Sequence, residues 1–183
     1  MLKYFLARQD FRSYEDFAAH MEIRVPTDFN FGYDVVDVLA GVDPGRRALV
    51  WCDDKGGQAQ FSFAEVKRES DRAANLFRGC GVRKGDAVML VLKRRYEFWF
   101  CLLALHKLGA VAIPATHLLT RKDIAYRIKA ASIAAIVAVA DGKVAEEVDA
   151  AVDETGGRVT RVMVGGDRPG WVSYDDRVRR MPE

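Results

Sequence analysis

The stretch from Gly81 to Pro114 constrains the fold more than any other part of the chain. Within it, Ala87–Leu92 is a short, unbroken apolar run of the kind expected of a strand buried on both faces. Tyr96–Leu108 is too long for a strand and is apolar nearly all round, which predicts a helix packed against a sheet. Gly109 stands where a glycine ends such a helix, and Ala110–Ile113 predicts a second buried strand. These segments together predict a β-α-β unit with a right-handed crossover, and therefore a parallel sheet.

The segments on either side of this unit extend the same pattern. Ala48–Cys52 and Gln58–Phe63 flank a short polar loop and predict a β-hairpin. Downstream of the unit, helix and strand patterns alternate. We therefore predict an α/β fold: an open, mostly parallel sheet with helices on both faces, plus an N-terminal helical segment and the hairpin. We expect residues 1–45 to be a helical and irregular segment packed on the core, and residues 46–183 to be an α/β subdomain truncated at its C-terminal end.

Local signals predict where several helices begin. Ser62 with Glu65, and Thr120 with Asp123, have the spacing of a capping box, in which two side chains satisfy free backbone N–H groups at a helix start. Each pair therefore predicts the first turn of a helix.

Two further expectations concern a helix cap near the N-terminus and the charged residues of the helix that follows Ser62. We predict that Asp34 caps a helix over Val35–Ala40, after an irregular aromatic segment at Phe29–Tyr33. In the helix that begins after Ser62, we expect Asp71 and the neighbouring charged residues to face water.

The composition favours a globular domain and gives no electrostatic case for binding nucleic acid or an anionic membrane. The 183 residues are 50% apolar and 30% charged, with a formal net charge of +2. The densest basic run, Lys93–Arg95, predicts a solvated loop.

The cysteines are widely spaced and form no Cys-x-x-Cys motif, which favours a reducing compartment. No segment reaches the roughly 18–20 apolar residues of a membrane-spanning helix. We expect a cytoplasmic protein without a membrane span.

Few residues have the pattern of a catalytic or binding site. No His or Cys pair has metal-ligand spacing and no nucleophile motif is present, so we assign no catalytic residue and no metal site. His117 follows the predicted strand that ends at Pro114, and open α/β sheets bind ligands at the carboxyl ends of their strands. We therefore interpret His117 as a substrate-channel residue, with a loop-ordering hydrogen bond as the alternative. His106 lies near a helix end, where a cation or a hydrogen bond would be favourable, and Gly165-Gly166 predicts a turn rather than a nucleotide site.

Several short motifs resemble a known enzyme family. They are Gly85-Asp86 before the first strand, Tyr96-Glu97-Phe98-Trp99 at the start of the helix, Lys107-Leu108-Gly109-Ala110 at its end, and Pro114 after the second strand. In this order they resemble the N-terminal part of the adenylate-forming, AMP-binding acyl-CoA synthetases, and the medium-chain acyl-CoA synthetases most of all. The resemblance runs from Phe29 to Arg180 and implies a partial fold of that family's N-terminal domain.

The resemblance implies chemistry for a complete enzyme. Members of the family activate a carboxylate with ATP, form an acyl-adenylate and pyrophosphate, and transfer the acyl group to coenzyme A. The implied cofactors are therefore ATP, Mg²⁺ and coenzyme A, none of which we expect to bind this fragment tightly. The family's diagnostic phosphate loop, adenine and metal motif, ribose-binding Asp and catalytic Lys are absent from this sequence.

One residue is assigned a contact by the same resemblance. In the similar acetyl-CoA synthetases, basic residues just after the strand that matches Ile133–Ala140 contact the nucleotide end of coenzyme A. The matching segment here is Asp141-Gly142-Lys143, which implies a contact between Lys143 and a coenzyme A phosphate. The alternative is an ordinary exposed lysine in the first turn of a helix, beside an aspartate of the wrong sign.

These observations lead to one expectation for function and two alternatives. We expect an N-terminal scaffold fragment of an ATP-dependent acyl-CoA synthetase that is inactive alone. Its partners would be the remainder of the synthetase chain and a second copy, through an exposed face of the sheet. The main alternative is a free-standing binding module or a split subunit whose partner supplies the nucleotide site. A small nucleotide-binding α/β regulator would need a phosphate loop that the sequence lacks.

Overall fold

Five parallel strands form the central sheet of the computed structural model, which describes residues 5–183. Their bounds are Ala87–Val91 (β3), Val111–Pro114 (β4), Ile133–Val139 (β5), Thr160–Val164 (β6) and Val172–Ser173 (β7). They lie in the order β4-β3-β5-β6-β7, and every neighbouring pair is parallel. A separate antiparallel hairpin consists of β1 (Arg47–Cys52) and β2 (Gln58–Ser62). The predicted α/β class, its parallel sheet and the hairpin are confirmed.

Helices cover both faces of this sheet. They are α1 (Tyr14–His20), a π-helix (Phe31–Asp37), α2 (Val38–Val42), α3 (Phe63–Gly79), α4 (Glu97–Leu108), α5 (Arg121–Ala131), α6 (Val144–Thr155) and α7 (Tyr174–Val178). The chain passes from β3 to β4 in one direction, and then past β3 to β5 and β6 in the other. Because such crossovers are right-handed, the reversal places α4 on one face and α5 and α6 on the other. Within residues 5–183, no helix is both long enough and apolar enough to cross a membrane.

The core lies in the middle of the sheet, where the apolar runs predicted buried strands. Every residue of β3 is buried, and β5 is buried except at its second position. Gly109 ends α4 in the left-handed conformation, at φ +66°. Capping boxes begin α3 at Ser62 and α5 at Thr120. These predictions are confirmed because each one depends on residues that are close together in the chain. The prediction that the strand at Ala110–Ile113 is buried was wrong, because β4 is an edge strand whose residues are exposed or half-buried.

The helix predicted at Val35–Ala40 begins earlier than expected and has a different cap. Asn30 caps the π-helix, because its Oδ1 accepts a hydrogen bond of 3.0 Å from the backbone N–H of Gly32. Asp34 lies inside this first turn, and its Oδ2 accepts a bond of 2.6 Å from the backbone N–H of Asn30. The prediction of Asp34 as the cap was therefore wrong. Asn30 also donates through Nδ2 to the carbonyl oxygen of His106 at 2.6 Å, a contact distant in sequence.

A buried lysine joins three helices on the α4 side of the sheet. The side chain of Lys107 is only 1% exposed, and its Nζ donates to Asp37 at 2.8 Å and to Asp71 at 2.7 Å. These residues belong to α4, the π-helix and α3 respectively. Asp71 therefore does not face water as predicted, because a cation from a neighbouring helix draws it inward.

Candidate functional site

The strand order defines a crevice at the carboxyl ends of β3 and β5. These two strands are neighbours, but the chain leaves β3 toward β4 and leaves β5 toward β6. Connections that diverge in this way leave a gap between them, and open α/β sheets bind ligands at that position. The segments at this gap are residues 93–95, which follow β3, and residues 141–143, which follow β5.

An ion pair joins the two segments. Lys93 donates through Nζ to Asp141, and Lys93 holds a left-handed backbone conformation at φ +51°. Non-glycine residues seldom adopt this conformation, and it persists where surrounding contacts fix it. Partial burial alone would raise the pKa of Asp141. The hydrogen bond from Lys93 and the nearby charge of Arg95 outweigh burial and lower this pKa. Asp141 is therefore an anion whose charge is already compensated.

Arg95 lies across the same edge of the sheet and reaches β6. Its Nη1 is 3.8 Å from Glu97 Oε1, and its Nη2 is 4.0 Å from Asp141 Oδ1. A Cβ atom at Gly165, which follows β6, would lie only 2.4 Å from Arg95 Nη2. Both carboxylate contacts are longer than a hydrogen bond. Arg95 thus has charge partners on both sides, but keeps N–H donors that can bind an anion.

Glu97 and Asp175 supply two further carboxyl groups near this edge. Glu97 is 6% exposed, and its Oε2 has no hydrogen-bond partner within residues 5–183. Burial raises the pKa of Glu97, although a backbone hydrogen bond and Arg95 oppose the shift. Asp175 accepts a bond of 2.7 Å from the backbone N–H of Gly165 and so fixes the loop beneath Arg95. The edge therefore carries mixed charge.

The residues singled out from the sequence both lie at this carboxyl edge. His117 is exposed in the loop after β4, and Lys143 is exposed immediately before α6. The loop around His117 is ordered by Thr116, whose side chain accepts from the backbone N–H of Leu118 at 3.3 Å. Because β4 and β5 lie on opposite sides of β3, the two residues flank the crevice, and no hydrogen bond or ion pair within residues 5–183 joins them.

Sequence reasoning missed the roles of Lys93 and Arg95. The basic run was predicted to be a solvated loop, yet Lys93 pairs with Asp141 and Arg95 packs over Gly165. The signal that was available is position, because a basic run directly after a buried parallel strand lies at the ligand-binding edge of the sheet. Gly165 was predicted only as a turn residue. It has φ +79° and no room for a side chain.

No metal centre stands out in the part of the chain that the structure describes. Across residues 5–183, no group of three or more His, Cys, Asp or Glu side chains is arranged to hold an ion.

The chain is similar to known proteins over most of its length. A family model described as "AMP-binding enzyme" matches residues 37–180. The chain belongs to the AMP-binding enzyme family. In rat, "Acyl-coenzyme A synthetase ACSM5, mitochondrial" is 35% identical over 162 residues, which cover 85% of this chain and 28% of that protein. Rat "Acyl-coenzyme A synthetase ACSM4, mitochondrial" is 36% identical over 178 residues, covering 92% of this chain and 30% of that protein.

Solved structures show the same fold. An anthranilate CoA ligase, AuaEII, in complex with anthranoyl-AMP matches with a TM-score of 0.72 and 22% identity over 86% of this chain. A benzoate CoA ligase from Burkholderia xenovorans matches with a TM-score of 0.69 and 21% identity over 84% of this chain. In both cases the match covers 29% of the other chain. This AMP-binding family chain thus spans less than a third of the relatives that it matches.

Proposed function

We propose that this AMP-binding family chain is the scaffold-forming N-terminal part of an ATP-dependent acyl-CoA synthetase. The complete protein would convert a carboxylate, ATP and coenzyme A into acyl-CoA, AMP and pyrophosphate, and would act in fatty acid metabolism. The observation that carries this proposal is the family match over residues 37–180 in a chain that spans 28–30% of named acyl-CoA synthetases. Residues 1–45 would cover the core, and residues 46–183 would form the α/β subdomain.

The carboxyl edge of the sheet would form one wall of the coenzyme A and acyl channel. Lys143 would contact a phosphate of coenzyme A, and His117 would line the channel on the other side of β3. The negative charge of the neighbouring Asp141 would oppose a phosphate at Lys143, but the ion pair with Lys93 compensates that charge. Exposed lysines bind phosphate as flexible point charges, which suits a contact that forms only when the ligand is present.

The cofactors and partners follow from the same proposal. ATP and Mg²⁺ would be bound by the remainder of the synthetase chain, because adenylate formation depends on preorganised phosphate and metal contacts. Self-association through the sheet is a further proposal, supported by Val111, which is 52% exposed on the edge strand β4. We predict cytoplasmic localisation from composition, whereas the relatives carry mitochondrial names; fractionation of source cells decides between the two compartments.

Two measurements test the proposal. The purified chain is expected to form no acyl-CoA from ATP, coenzyme A and medium-chain carboxylates, and a measured turnover would overturn the fragment assignment. In the complete enzyme, Lys143→Glu is expected to raise KM for coenzyme A with little change in KM for ATP. Lys129→Glu, on the exposed side of α5, is the matched control. Equal KM values for coenzyme A in both variants would remove Lys143 from the site.

A further inference from the structure

The loop that follows β3 is fixed by a side chain of the hairpin. Trp51 of β1 donates through Nε1 to the carbonyl oxygen of Arg94 at 2.5 Å. Its ring also packs edge to face against Tyr96, with ring centroids 5.3 Å apart. The backbone of Arg95 is therefore held between two anchored residues. A group that is held in position before a ligand arrives loses less conformational freedom on binding.

The guanidinium of Arg95 is held in place but keeps free hydrogen-bond donors. It rests against Gly165, where a Cβ atom would lie 2.4 Å from Nη2. The carboxylate oxygens of Glu97 and Asp141 are 3.8 and 4.0 Å away, and no hydrogen bond from this side chain occurs within residues 5–183. The side chain is 34% exposed, so a ligand can reach it. A guanidinium presents a planar fork of N–H donors that matches two oxygens of a phosphate group.

The second cation of the crevice, Lys93, is occupied by an anion of the chain itself. Asp141 accepts from Lys93 Nζ through Oδ2, and its Oδ1 is 4.0 Å from Arg95 Nη2. The carboxylate thus places one oxygen near each cation, and a phosphate group can present its oxygens in the same way.

The ion pair between Lys93 and Asp141 is weak enough to be exchanged. The side chain of Asp141 is 52% exposed, and an ion pair at such a site stabilises by only about 0–1 kcal/mol. A phosphate monoester carries about 1.5 to 2 negative charges near pH 7, against one on a carboxylate. It therefore competes favourably with Asp141 for the two cations.

We propose that Arg95 and Lys93 bind a phosphate group in the crevice between β3 and β5, and that Asp141 is a built-in competitor that the phosphate displaces. Arg95 supplies the fixed contact, and Lys93 exchanges a carboxylate oxygen for a phosphate oxygen. The inference rests on the proposed function for the source of the phosphate, because it extends the coenzyme A wall from Lys143 to the loop after β3.

Titration of inorganic phosphate into the purified chain tests the site. The backbone N–H signals of Gly142 and Gly165, followed by NMR at constant ionic strength, are expected to shift with phosphate and not with chloride. Arg95→Met should weaken phosphate binding roughly tenfold or more, the effect of losing a charged hydrogen bond. Arg94→Met removes the same charge from an exposed side chain that forms no ion pair within residues 5–183, and should change the affinity by less than about twofold.

Two outcomes of this titration would overturn the proposal. One is an equal affinity of the two arginine variants for phosphate. The other is a set of shifts that chloride reproduces.

The role of Asp141 as a competitor has its own test. Asp141→Asn should tighten phosphate binding by roughly two- to fivefold, because Lys93 loses its resident anion. Asp153→Asn, which removes an exposed acid near the other end of α6, should change the affinity less. The gain from Asp141→Asn should shrink when Lys93→Met is already present. An unchanged or weaker affinity in Asp141→Asn would show that the carboxylate does not compete for the site, and the proposal would be wrong.

Coenzyme A and dephospho-coenzyme A, which lacks the phosphate monoester, identify the source of the phosphate. If coenzyme A is the source, Arg95→Met should weaken its binding more than that of dephospho-coenzyme A. Equal losses, with inorganic phosphate still bound through Arg95, would assign the site to free phosphate. A complete protein that forms no acyl-CoA, while phosphate binding depends on Arg95 and Asp141, would overturn the synthetase assignment alone.

Discussion

At the scale of single residues, the buried ammonium group of Lys107 holds together the helices on the α4 side of the sheet. Its two partners, Asp37 and Asp71, are 16% and 15% exposed, so all three charges are largely removed from water. A charge in such a place is tolerated only when it is paired and hydrogen-bonded. The triad therefore stabilises the positions of the π-helix, α3 and α4 together.

We predict that Lys107→Met destabilises the protein by about 3–5 kcal/mol, because two buried carboxylates lose their common partner. The matched control is Lys67→Met, since Lys67 also pairs with Asp71 but is 44% exposed; its expected cost is about 0–1 kcal/mol. Urea denaturation measures both. Adding Asp37→Asn and Asp71→Asn to Lys107→Met should restore part of the loss. Equal effects of the two lysine substitutions would contradict the assigned role of the triad.

Asp16 gives a prediction for pH. Hydrogen bonds from Arg8 and from the backbone N–H of Arg12 lower the pKa of Asp16 to about 2 from an ordinary 3.8. A carboxylate with a depressed pKa stabilises the fold above its unfolded pKa, and this contribution is lost as the pH falls toward the folded value. The stabilising effect should thus be complete above about pH 5 and decline as the pH falls through 3.8 toward about 2.

An NMR titration of the Asp16 carboxyl group checks this pKa directly. Arg8→Met should move the midpoint toward 3.8, because the largest cause of the shift is removed. The stability difference between the unmodified chain and Arg8→Met should shrink as the pH falls below 4. A midpoint near 3.8 in the unmodified chain would show that the pair does not form in solution.

At the scale of elements, the sequence predicted best what depends on neighbouring residues. The buried strands β3 and β5, the capping boxes at Ser62 and Thr120, and Gly109 at the end of α4 all depend on local patterns. These patterns act through residues that are neighbours in the chain, so the sequence alone is enough to recognise them.

Elements and sites that depend on distant contacts were not predictable in the same way. The helix start at Asn30 is secured by the carbonyl oxygen of His106, which is 76 positions away in the chain. Asp71 points inward because of Lys107, 36 positions away. For the carboxyl edge, His117 was singled out by its position after a predicted strand and Lys143 by the resemblance, but the placement of Arg95 over Gly165 required the packed sheet.

The loop after β6 carries a prediction at this scale. Gly165 has φ +79°, and a Cβ atom there would meet Arg95. Gly165→Ala should therefore cost about 1–2 kcal/mol for the left-handed backbone alone, and should also displace the guanidinium from the edge. Thermal unfolding and the chemical shift of the Arg95 side chain report the two effects. Gly41→Ala, in α2 where a Cβ atom meets no other group, should not destabilise the protein, because alanine is favoured over glycine in a helix by about 0.5–1 kcal/mol.

At the scale of the whole molecule, the chain joins a doubly covered parallel sheet to an aromatic, ion-paired N-terminal segment. The fold matches part of two CoA ligase structures, and the family model matches residues 37–180. The residues of this chain supply a basic and acidic carboxyl edge rather than an ATP-binding phosphate loop. The proposed scaffold with one wall of a channel fits these features, and under that proposal the missing chemistry would come from the remainder of a synthetase chain.

The measurement that tests this account most directly is the mass of the native protein detected in its source cells with an antibody raised against the chain. The account predicts a mass several-fold above 20.5 kDa, because the chain spans 28–30% of the synthetases it matches. It also predicts that carboxylate-dependent pyrophosphate exchange copurifies with that protein. A native mass of 20.5 kDa without this exchange activity would contradict the account and favour a free-standing module.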